Sequence, residues 1–324
     1  MRTIHHSAAP SRGATSLHSE DAVTDSHRPV MLEESLAGLS VRAMPDAIYV
    51  DGTFGRGGHS AAILDVLGAQ GFLHAMDQDP DAVTAAKLRF GERGNFRIHH
   101  RNFGELGELA RDCGMVGQIS GILLDLGVSS PQFDDAERGF SFLRDGPLDM
   151  RMDPSSGEPA SAWINRADAE EIADVLYQYG EERLSRRIAR RIVEARIETP
   201  ILRTTQLADI ISRAMSGPRQ KIHPATRSFQ AIRIFINREL DVLPRALQSA
   251  AEVLAPGGRL AVISFHSLED RIVKRFMRDA RGTGPDDAKK AELKRVSRAF
   301  PSDAECAINP RARSAVLRVA ERVS

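Results

Sequence analysis

The sequence predicts an α/β protein with a doubly wound parallel sheet and an inserted all-helical domain. Between residues 48 and 127, short apolar runs alternate with segments of helical periodicity, which is typical of parallel strands joined by crossover helices. Residues 160–219 then have helical periodicity throughout. A strongly apolar run at 257–265 returns to the strand pattern. One sheet interrupted by a helical insertion accounts for all three observations.

The first half of the chain is predicted to contain four strands. They are the apolar runs 48–51, 72–77, 96–100 and 120–127. Helical patterns separate them at 60–67, at 80–90 after the helix-opening pair Asp79 and Pro80, and at 103–112. A leading segment at 27–39 is predicted to include a short helix.

The second half begins with 128–159, which is rich in turn-forming residues and predicts a long ordered loop. In the helical part, Leu184, Ile188 and Ile192 are four residues apart and predict one apolar face. After the strand at 257–265, residues 267–279 predict a helix, and 312–321 alternate like a final edge strand. We therefore expect these domain bounds: a disordered tail at 1–26, the sheet domain at 27–155 and 240–324, and the inserted helical domain at 156–239.

Composition excludes several classes of protein. The 324 residues contain no apolar run of membrane-spanning length, and the polar first 26 lack the apolar core of a signal peptide. Cys113 and Cys306 form neither a disulfide framework nor a Cys-x-x-Cys site, which fits a reducing, cytoplasmic location. Because His99 and His100 alternate across a predicted strand, we expect no cluster of metal ligands and no metal cofactor.

The formal net charge of zero hides a strongly basic block. Residues 183–238 contain 13 Arg and Lys against 3 Asp and Glu, a net charge of +10. Such a block in a neutral chain indicates a face that binds a polyanion. A solvated helical surface is the alternative, and the insertion could also carry a homodimer contact.

A glycine-rich loop, DGTFGRGGHS at 51–60, follows the first predicted strand and opens a helix. Glycines allow backbone N–H groups to approach an anionic or polar ligand at a helix N-terminus. Tight strand–helix turns also use glycine without any ligand.

Three further candidate groups follow predicted strands, where doubly wound sheets bind ligands. Asp77 ends the second strand and could accept hydrogen bonds from ribose hydroxyls, or cap the next helix. Phe103 follows the third strand and could lie against an adenine, or pack in the core. DLGVSSPQ at 125–132 places an acid, two hydroxyls and an amide after the fourth strand.

Together these groups indicate a cofactor that contains a nucleoside. The glycines at 52, 55, 57 and 58 are offset from the G-x-G-x-x-G spacing of nicotinamide dinucleotide sites. S-adenosyl-L-methionine has no pyrophosphate, and its methionine carboxylate suits the loop. The residues therefore favour S-adenosylmethionine over a nicotinamide cofactor.

Four long motifs carry a resemblance to a known family. DGTFGRGGHS, GILLDLGVSSPQFDDAERGFSFLRDGPLDMRMD, KIHPATRSFQAIRIFIN and SFHSLEDRIVKRF resemble the bacterial 16S rRNA (cytosine-N4)-methyltransferases, the MraW (RsmH) family. The resemblance runs from about His27 to the C-terminus. It implies a class I (Rossmann-like) S-adenosylmethionine-dependent methyltransferase fold. It also implies methylation of the exocyclic N4 of a decoding-centre cytidine, within the small ribosomal subunit.

The resemblance also implies roles for individual residues. Those expected to bind the cofactor are Gly57, Gly58 and His59 at the methionine part, Asp77 at the ribose, Phe103 at the adenine, and Asp125 and Gln132 elsewhere in the pocket. Apart from the resemblance, the basic insertion is expected to bind RNA through Arg187, Arg191, Lys221, His223 and Arg227.

Catalysis on an exocyclic amine needs acceptors for its hydrogens as positive charge develops. Asp125, Ser129 and Ser130 lie where such acceptors are expected, although the Pro-Pro-aromatic sequence common in amine methyltransferases is missing after the acid. His266, after the late strand, is a second acceptor or proton relay. Three alternatives remain open: a methyltransferase acting on another nucleic acid, an RNA-binding assembly factor with a non-catalytic pocket, and a nicotinamide oxidoreductase.

Overall fold

A seven-stranded sheet forms the centre of the computed structural model, which describes residues 28–215, 223–280 and 293–323. The strands are β1 (Ile48–Asp51), β2 (Phe72–Asp77), β3 (Phe96–His100), β4 (Ile119–Asp125), β5 (Leu254–Ser264), β6 (Leu293–Ala299) and β7 (Val316–Arg322). Their order across the sheet is β3-β2-β1-β4-β5-β7-β6. The first five are parallel, and β7 is antiparallel to both of its neighbours.

Thirteen α-helices occur in the described part of the chain. They are α1 (Leu32–Leu39), α2 (Gly58–Val66), α3 (Pro80–Phe90), α4 (Leu106–Asp112), α5 (Ser130–Asp134), α6 (Ala160–Arg166), α7 (Ala169–Gly180), α8 (Ser185–Glu198), α9 (Thr204–Ala214), α10 (Thr226–Ile236), α11 (Glu239–Val253), α12 (Ser267–Asp279) and α13 (Asp303–Ile308). Short 3-10 helices span Val41–Ala43, Phe103–Glu105, Ala136–Arg138 and Pro310–Ser314.

Two apolar clusters cover the two faces of the sheet. One joins α1, α2 and α3 to the sheet through side chains such as Leu36 and Ile63. The other joins α4, α11 and α12 through side chains such as Leu109 and Leu247. A third cluster joins the helices α6–α10 and includes the buried Trp163. Helices on both faces of a mainly parallel sheet are the doubly wound arrangement expected from the sequence.

Most elements follow the sequence pattern, and four features differ. The strand predicted at the edge, now β7, lies inside the sheet, because β6 pairs with its outer side. Most of β6 is exposed and polar, so it lacks the alternation that reveals a half-buried strand. The loop predicted at 128–159 contains α5 and a 3-10 turn. Leu184 is partly exposed ahead of α8, and not on its apolar face as expected.

Some sequence expectations fall outside the described residues. These are the tail at 1–26, Lys221, and the end of the helical run beyond Met215. Within the described ranges, no helix is both long enough and apolar enough to span a membrane.

Candidate cofactor and catalytic site

Three carboxylates end three neighbouring parallel strands. Asp51, Asp77 and Asp125 are the last residues of β1, β2 and β4, and the sheet order β2-β1-β4 brings them to one edge. Parallel sheets bind ligands at this edge, where the carboxyl ends of the strands open into a crevice.

Asp51 holds the glycine-rich loop in shape. Its carboxylate accepts hydrogen bonds from the Thr53 N–H at 3.1 Å and from the Ser60 hydroxyl at 2.7 Å. Because the side chain is fully buried, desolvation raises its pKa to about 6, against the effect of these hydrogen bonds. Both donors belong to the glycine-rich loop itself, so Asp51 stabilises the conformation of this loop. The sequence analysis did not assign this role.

Packing requires glycine at two positions of this loop. Gly57 has φ +71°, and a Cβ there would lie 2.4 Å from the ring of Phe54. A Cβ on Gly58 would lie 2.3 Å from Pro29. The tight turn therefore explains these two glycines by itself, and it also leaves the backbone bare at the start of α2.

Asp77 lies beside the same loop. Its Oδ2 accepts the Gly55 N–H at 2.7 Å, and its Oδ1 accepts the Asp79 N–H at 2.9 Å. Desolvation raises its pKa to about 6, opposed by these two bonds. Each carboxylate oxygen retains a lone pair, so the group can still accept hydrogen bonds from two neighbouring hydroxyls. Asp77 thus has the acceptors that a ribose needs.

Phe103 lies next to Gly52, the residue that follows β1. It begins the 3-10 helix Phe103–Glu105 and is partly buried against the core on the α4 side of the sheet. Its Cβ lies 3.6 Å from the point that a Cβ on Gly52 would occupy. The partly buried ring therefore packs on the core and also borders the loop, and its contact with an adenine stays a prediction.

Asp125 has a buried oxygen without a hydrogen-bond partner. Its backbone N–H donates to the Thr53 hydroxyl at 2.6 Å, and its Oδ2 lies 3.6 Å from Nδ1 of His59. Its Oδ1 has no partner among the residues that the structure describes. Burial raises the pKa of Asp125 well above the ordinary range, and the charges of Asp51 and Glu269 raise it further. A buried acceptor without a partner is costly unless a ligand supplies one.

The neighbouring His59 cannot donate a hydrogen bond to the Asp125 carboxyl. Its Nε2 lies 3.1 Å from the carbonyl oxygen of Val30, so this nitrogen carries the proton and donates it. Burial lowers the pKa of His59 to about 4, so the ring is neutral and Nδ1 presents only a lone pair. The buried Asp125 carboxyl, at the end of β4, therefore has acceptor capacity that no described residue uses.

The loop after β4 is held by its own side chains. The Oε1 of Gln132 accepts the Ser129 N–H at 3.0 Å, and its Nε2 donates to Asp79 at 2.7 Å. The Ser130 hydroxyl accepts from Arg311 at 3.0 Å. The polar groups of Gln132 and Ser130 are thus engaged within the chain, which indicates that they position the loop.

A buried ion pair that sequence reasoning missed fixes the same loop to β2. Asp79, which begins α3, accepts a hydrogen bond from Arg138 at 2.8 Å. Arg138 also donates to the carbonyl oxygens of Arg151 and Met152. No short-range pattern indicates this pair, because its members are 59 residues apart.

His266 is the N-cap of α12 and lies two residues after the end of β5. Its Nε2 lies 2.9 Å from Oε1 of the buried Glu269, and the Glu269 Oε2 accepts the Phe265 N–H at 2.9 Å. Burial raises the pKa of Glu269, but hydrogen bonding to His266 and the charges of His266 and Arg233 outweigh it, so the net shift is downward. Arg233 in turn makes a buried, bidentate pair with Glu239 at 2.8 and 2.9 Å. This cluster joins the helical part of the chain to the carboxyl end of β5.

Comparison with known proteins identifies the family. The model of the MraW methylase family matches residues 24–323. The chain belongs to the MraW methylase family. Two relatives, both called ribosomal RNA small subunit methyltransferase H, are 57% identical (Thioalkalivibrio sulfidiphilus) and 55% identical (Shewanella frigidimarina) to it. The alignments cover 92% of this chain and 98% and 97% of the relatives. An rRNA methylase structure from Streptococcus thermophilus covers 90% of this chain and 96% of its own, with 12% identity and a TM-score of 0.43.

Membership of the MraW methylase family confirms the resemblance, the fold class and the cofactor expected from the sequence. The protein is a methyltransferase, and its cofactor is S-adenosylmethionine. The strand-end groups fit this cofactor, since Asp77 offers acceptors for ribose hydroxyls and a buried oxygen of Asp125 lacks a partner among the described residues. The nicotinamide alternative is therefore wrong.

The residues expected to bind RNA lie on the helical part of this MraW methylase. Arg187 and Arg191 are exposed on α8, and Arg191 pairs with Glu194 at 2.8 Å. Arg227 is exposed on α10, and the His223 ring lies 4.5 Å from that of Phe142. The structure thus displays these groups on the surface, and it does not test their role.

The expectation that no metal-ligand cluster would form was wrong. Side-chain donors of His74, His99 and Cys113 lie within 4.8 Å of one another. The two imidazoles are 3.0 Å apart, Nδ1 to Nε2, so one proton shared between them satisfies both atoms. Burial, with a smaller contribution from the charge of Arg97, lowers the pKa of each to about 4. The same cationic charge opposes a metal ion here.

Proposed function

We propose that the protein methylates the exocyclic N4 of a decoding-centre cytidine in 16S rRNA of the small ribosomal subunit. Family membership supplies methyl transfer from S-adenosylmethionine. Relatives that are more than half identical are named ribosomal RNA small subunit methyltransferase H, which supports the substrate. The proposal places the protein in the cytoplasm, with the small subunit as its partner.

The observation that carries the mechanism is the unpaired, buried Oδ1 of Asp125. The N4 amine of cytosine is a weak nucleophile, because its lone pair is delocalised into the ring. An oxygen that accepts one N–H hydrogen bond orients the amine and stabilises the positive charge that develops on it. S-adenosylmethionine, when bound, supplies a methyl group already activated on a positively charged sulfur.

Asp125 suits this task because no donor among the residues that the structure describes competes for its Oδ1. The neutral His59 presents a lone pair to the carboxyl, so it offers no hydrogen bond to Oδ2 either. A preorganised acceptor that needs no rearrangement at the moment of reaction lowers the barrier most effectively.

His266 is proposed as a proton relay, with the Glu269 carboxylate 2.9 Å from its Nε2 as the neighbouring charge. The imidazole lies at the carboxyl end of β5, next to the strand that ends in Asp125. Ser129 and Ser130 are proposed to shape the loop, with their hydroxyls as additional acceptors at the amine.

Cofactor binding is proposed to use the strand-end groups. Asp77 accepts hydrogen bonds from the ribose hydroxyls, and Phe103 lies against the adenine. The bare backbone at Gly57 and Gly58, with His59, contacts the methionine part. Gln132 is proposed to support this pocket through its bond to Asp79.

The helical insertion, proposed at 156–239, is the part of the chain that binds the RNA backbone. Arg187, Arg191 and Arg227 contact phosphates there, together with His223 and Lys221. Phosphate contacts provide affinity without reading sequence, and they weaken steeply with salt. The target base must leave its stack to reach the crevice.

Product identification tests this proposal. Small subunits from cells that lack this enzyme are incubated with the purified protein and isotope-labelled S-adenosylmethionine, and the 16S rRNA is digested to nucleosides for mass spectrometry. The expected product is labelled N4-methylcytidine at one position. A label on another base or another RNA overturns the substrate, and binding without any transfer favours an assembly factor.

A further inference from the structure

The edge strand β6 carries an unusual set of exposed side chains. Lys294, Arg295 and Arg298 are exposed on both faces of this strand, and exposed Phe300 follows its end. The guanidinium of Arg298 lies 4.4 Å from the centre of the Phe300 ring. None of the three cations pairs with an acidic side chain among residues 28–215, 223–280 and 293–323. We call these four residues the edge-strand surface.

The topology places Phe300 at the catalytic edge of the sheet. Ala299 of β6 and Ile263 of β5 are both paired with Leu317 of β7. β6 therefore runs parallel to β5 and ends at the same level. Phe300 leaves the sheet on the edge where His266 begins α12.

The segment after Phe300 lies against the proposed site. Glu305 of α13 accepts the Met31 N–H at 2.7 Å, next to Val30, whose carbonyl oxygen accepts from His59. Arg311 donates to Ser130 and to Asp134 of the loop after β4, both at 3.0 Å. Residues 300–311 thus connect the edge-strand surface with the loop that carries the proposed acceptors.

Charge alone has a simpler explanation on an edge strand. Lysine and arginine there prevent the unpaired backbone from pairing with another chain. That explanation does not account for Phe300, since an exposed phenyl ring, 56% accessible, favours association. An aromatic ring beside several cations is the combination that binds single-stranded nucleic acid, through base stacking and phosphate attraction.

We propose that the edge-strand surface is a second RNA contact, at which an unpaired nucleotide near the target stacks on Phe300 and its backbone is held by Arg295 and Arg298. The inference rests on the proposed RNA substrate and goes beyond the helical contacts. Two contacts, on β6 and on the helical insertion, would hold the RNA on two sides of the crevice.

The test measures equilibrium binding of small subunits and methyl transfer in parallel. Phe300→Ala is expected to weaken binding about fivefold or more, while Phe300→Tyr, which retains the ring, stays within about twofold of wild type. Arg295→Ala with Arg298→Ala lowers the salt dependence of log K by about 1.4, at about 0.7 for each phosphate contact to a single strand. KM rises and kcat is unchanged, because these residues do not touch the reacting atoms.

Lys87→Ala with Leu88→Ala is the matched control. Both side chains are exposed near the end of α3, which runs from the catalytic edge to the opposite edge of the sheet, and Leu88 is 84% exposed. Binding by this control is expected to match wild type. Thermal unfolding of each variant separates loss of contact from loss of fold, and if Phe300→Ala unfolds early, Phe300→Leu replaces it.

The outcomes separate this inference from the proposed function. If wild type transfers methyl groups but the edge-strand variants bind like the control, the second contact is wrong and the function stands. If wild type binds subunits without transfer, the function fails and the variant series still decides the contact. A wild type that binds no subunits overturns both.

Discussion

Replacement of Arg138 tests how the loop after β4 is held in place. In Arg138→Met the aliphatic stem remains, so packing changes little, but the guanidinium is lost. Its partner Asp79 stays buried, since the side chains of the pair are 11% and 5% exposed. The remaining partners of the Asp79 carboxylate are Gln132 and the Asp81 N–H.

The expected cost follows from the bonds that disappear. The charged bond to Asp79 at 2.8 Å contributes about 1.5–3 kcal/mol, and the bonds to the Arg151 and Met152 carbonyl oxygens about 1 kcal/mol each. The bond to Asp81 at 3.1 Å adds little, because that side chain is 80% exposed. The total of about 3.5–5 kcal/mol agrees with the 3–5 kcal/mol typical of a broken buried ion pair. Methyl transfer should also fall, because Gln132 shares Asp79 and its loop loses an anchor.

Urea unfolding followed by circular dichroism measures the change in the free energy of unfolding. The control is Arg191→Met, whose ion pair with Glu194 has the same 2.8 Å length, but whose side chains are 61% and 60% exposed. Its expected cost is only about 0.2–0.5 kcal/mol. If both variants lose the same small amount, the buried pair does not hold the loop and the reasoning is wrong.

Three further predictions concern the pocket. Folding raises the pKa of Asp77 from 3.8 to about 6. Between pH 4 and 6 the folded chain therefore binds more protons at Asp77 than the unfolded chain does. The contribution of Asp77 to the free energy of unfolding thus falls as pH rises through that window. Asp77→Asn should remove this dependence, of about 3 kcal/mol at most, in urea titrations at pH 4.5 and 7. Gly57→Ala should destabilise by about 1–3 kcal/mol, because it combines φ +71° with a Cβ 2.4 Å from the Phe54 ring, whereas Gly94→Ala has open space and should change little. Phe103→Ala should weaken S-adenosylmethionine binding about tenfold by calorimetry, and equal affinity would remove Phe103 from the adenine site.

Sequence periodicity predicted the helices and strands that have one buried face. The helix at 267–279 and the strands at 48–51, 72–77 and 96–100 have the observed bounds. β6 was missed, because a strand exposed on both faces has no apolar alternation to reveal it. The position of β7 inside the sheet depends on that missed strand.

The strand-end acids of the candidate site were also predictable, since parallel topology brings Asp77 and Asp125 to one edge. The side-chain contacts around the site were not predictable. The contact between Arg138 and Asp79 spans 59 residues. His74 faces Arg97 in the strand register, and its ring reaches His99 diagonally. Such contacts depend on side-chain directions in the folded chain, which residue spacing does not specify.

The most direct test of the central claim is single-turnover methyl transfer to small subunits by wild type, Asp125→Ala and Asp125→Asn, with subunits and S-adenosylmethionine both saturating. The account predicts that Asp125→Ala lowers the rate about 100-fold or more, because the acceptor at the amine is lost. Asp125→Asn, which retains an acceptor oxygen but no charge, should fall between the two. An Asp125→Ala rate equal to that of wild type would contradict the role of Asp125 as the acceptor.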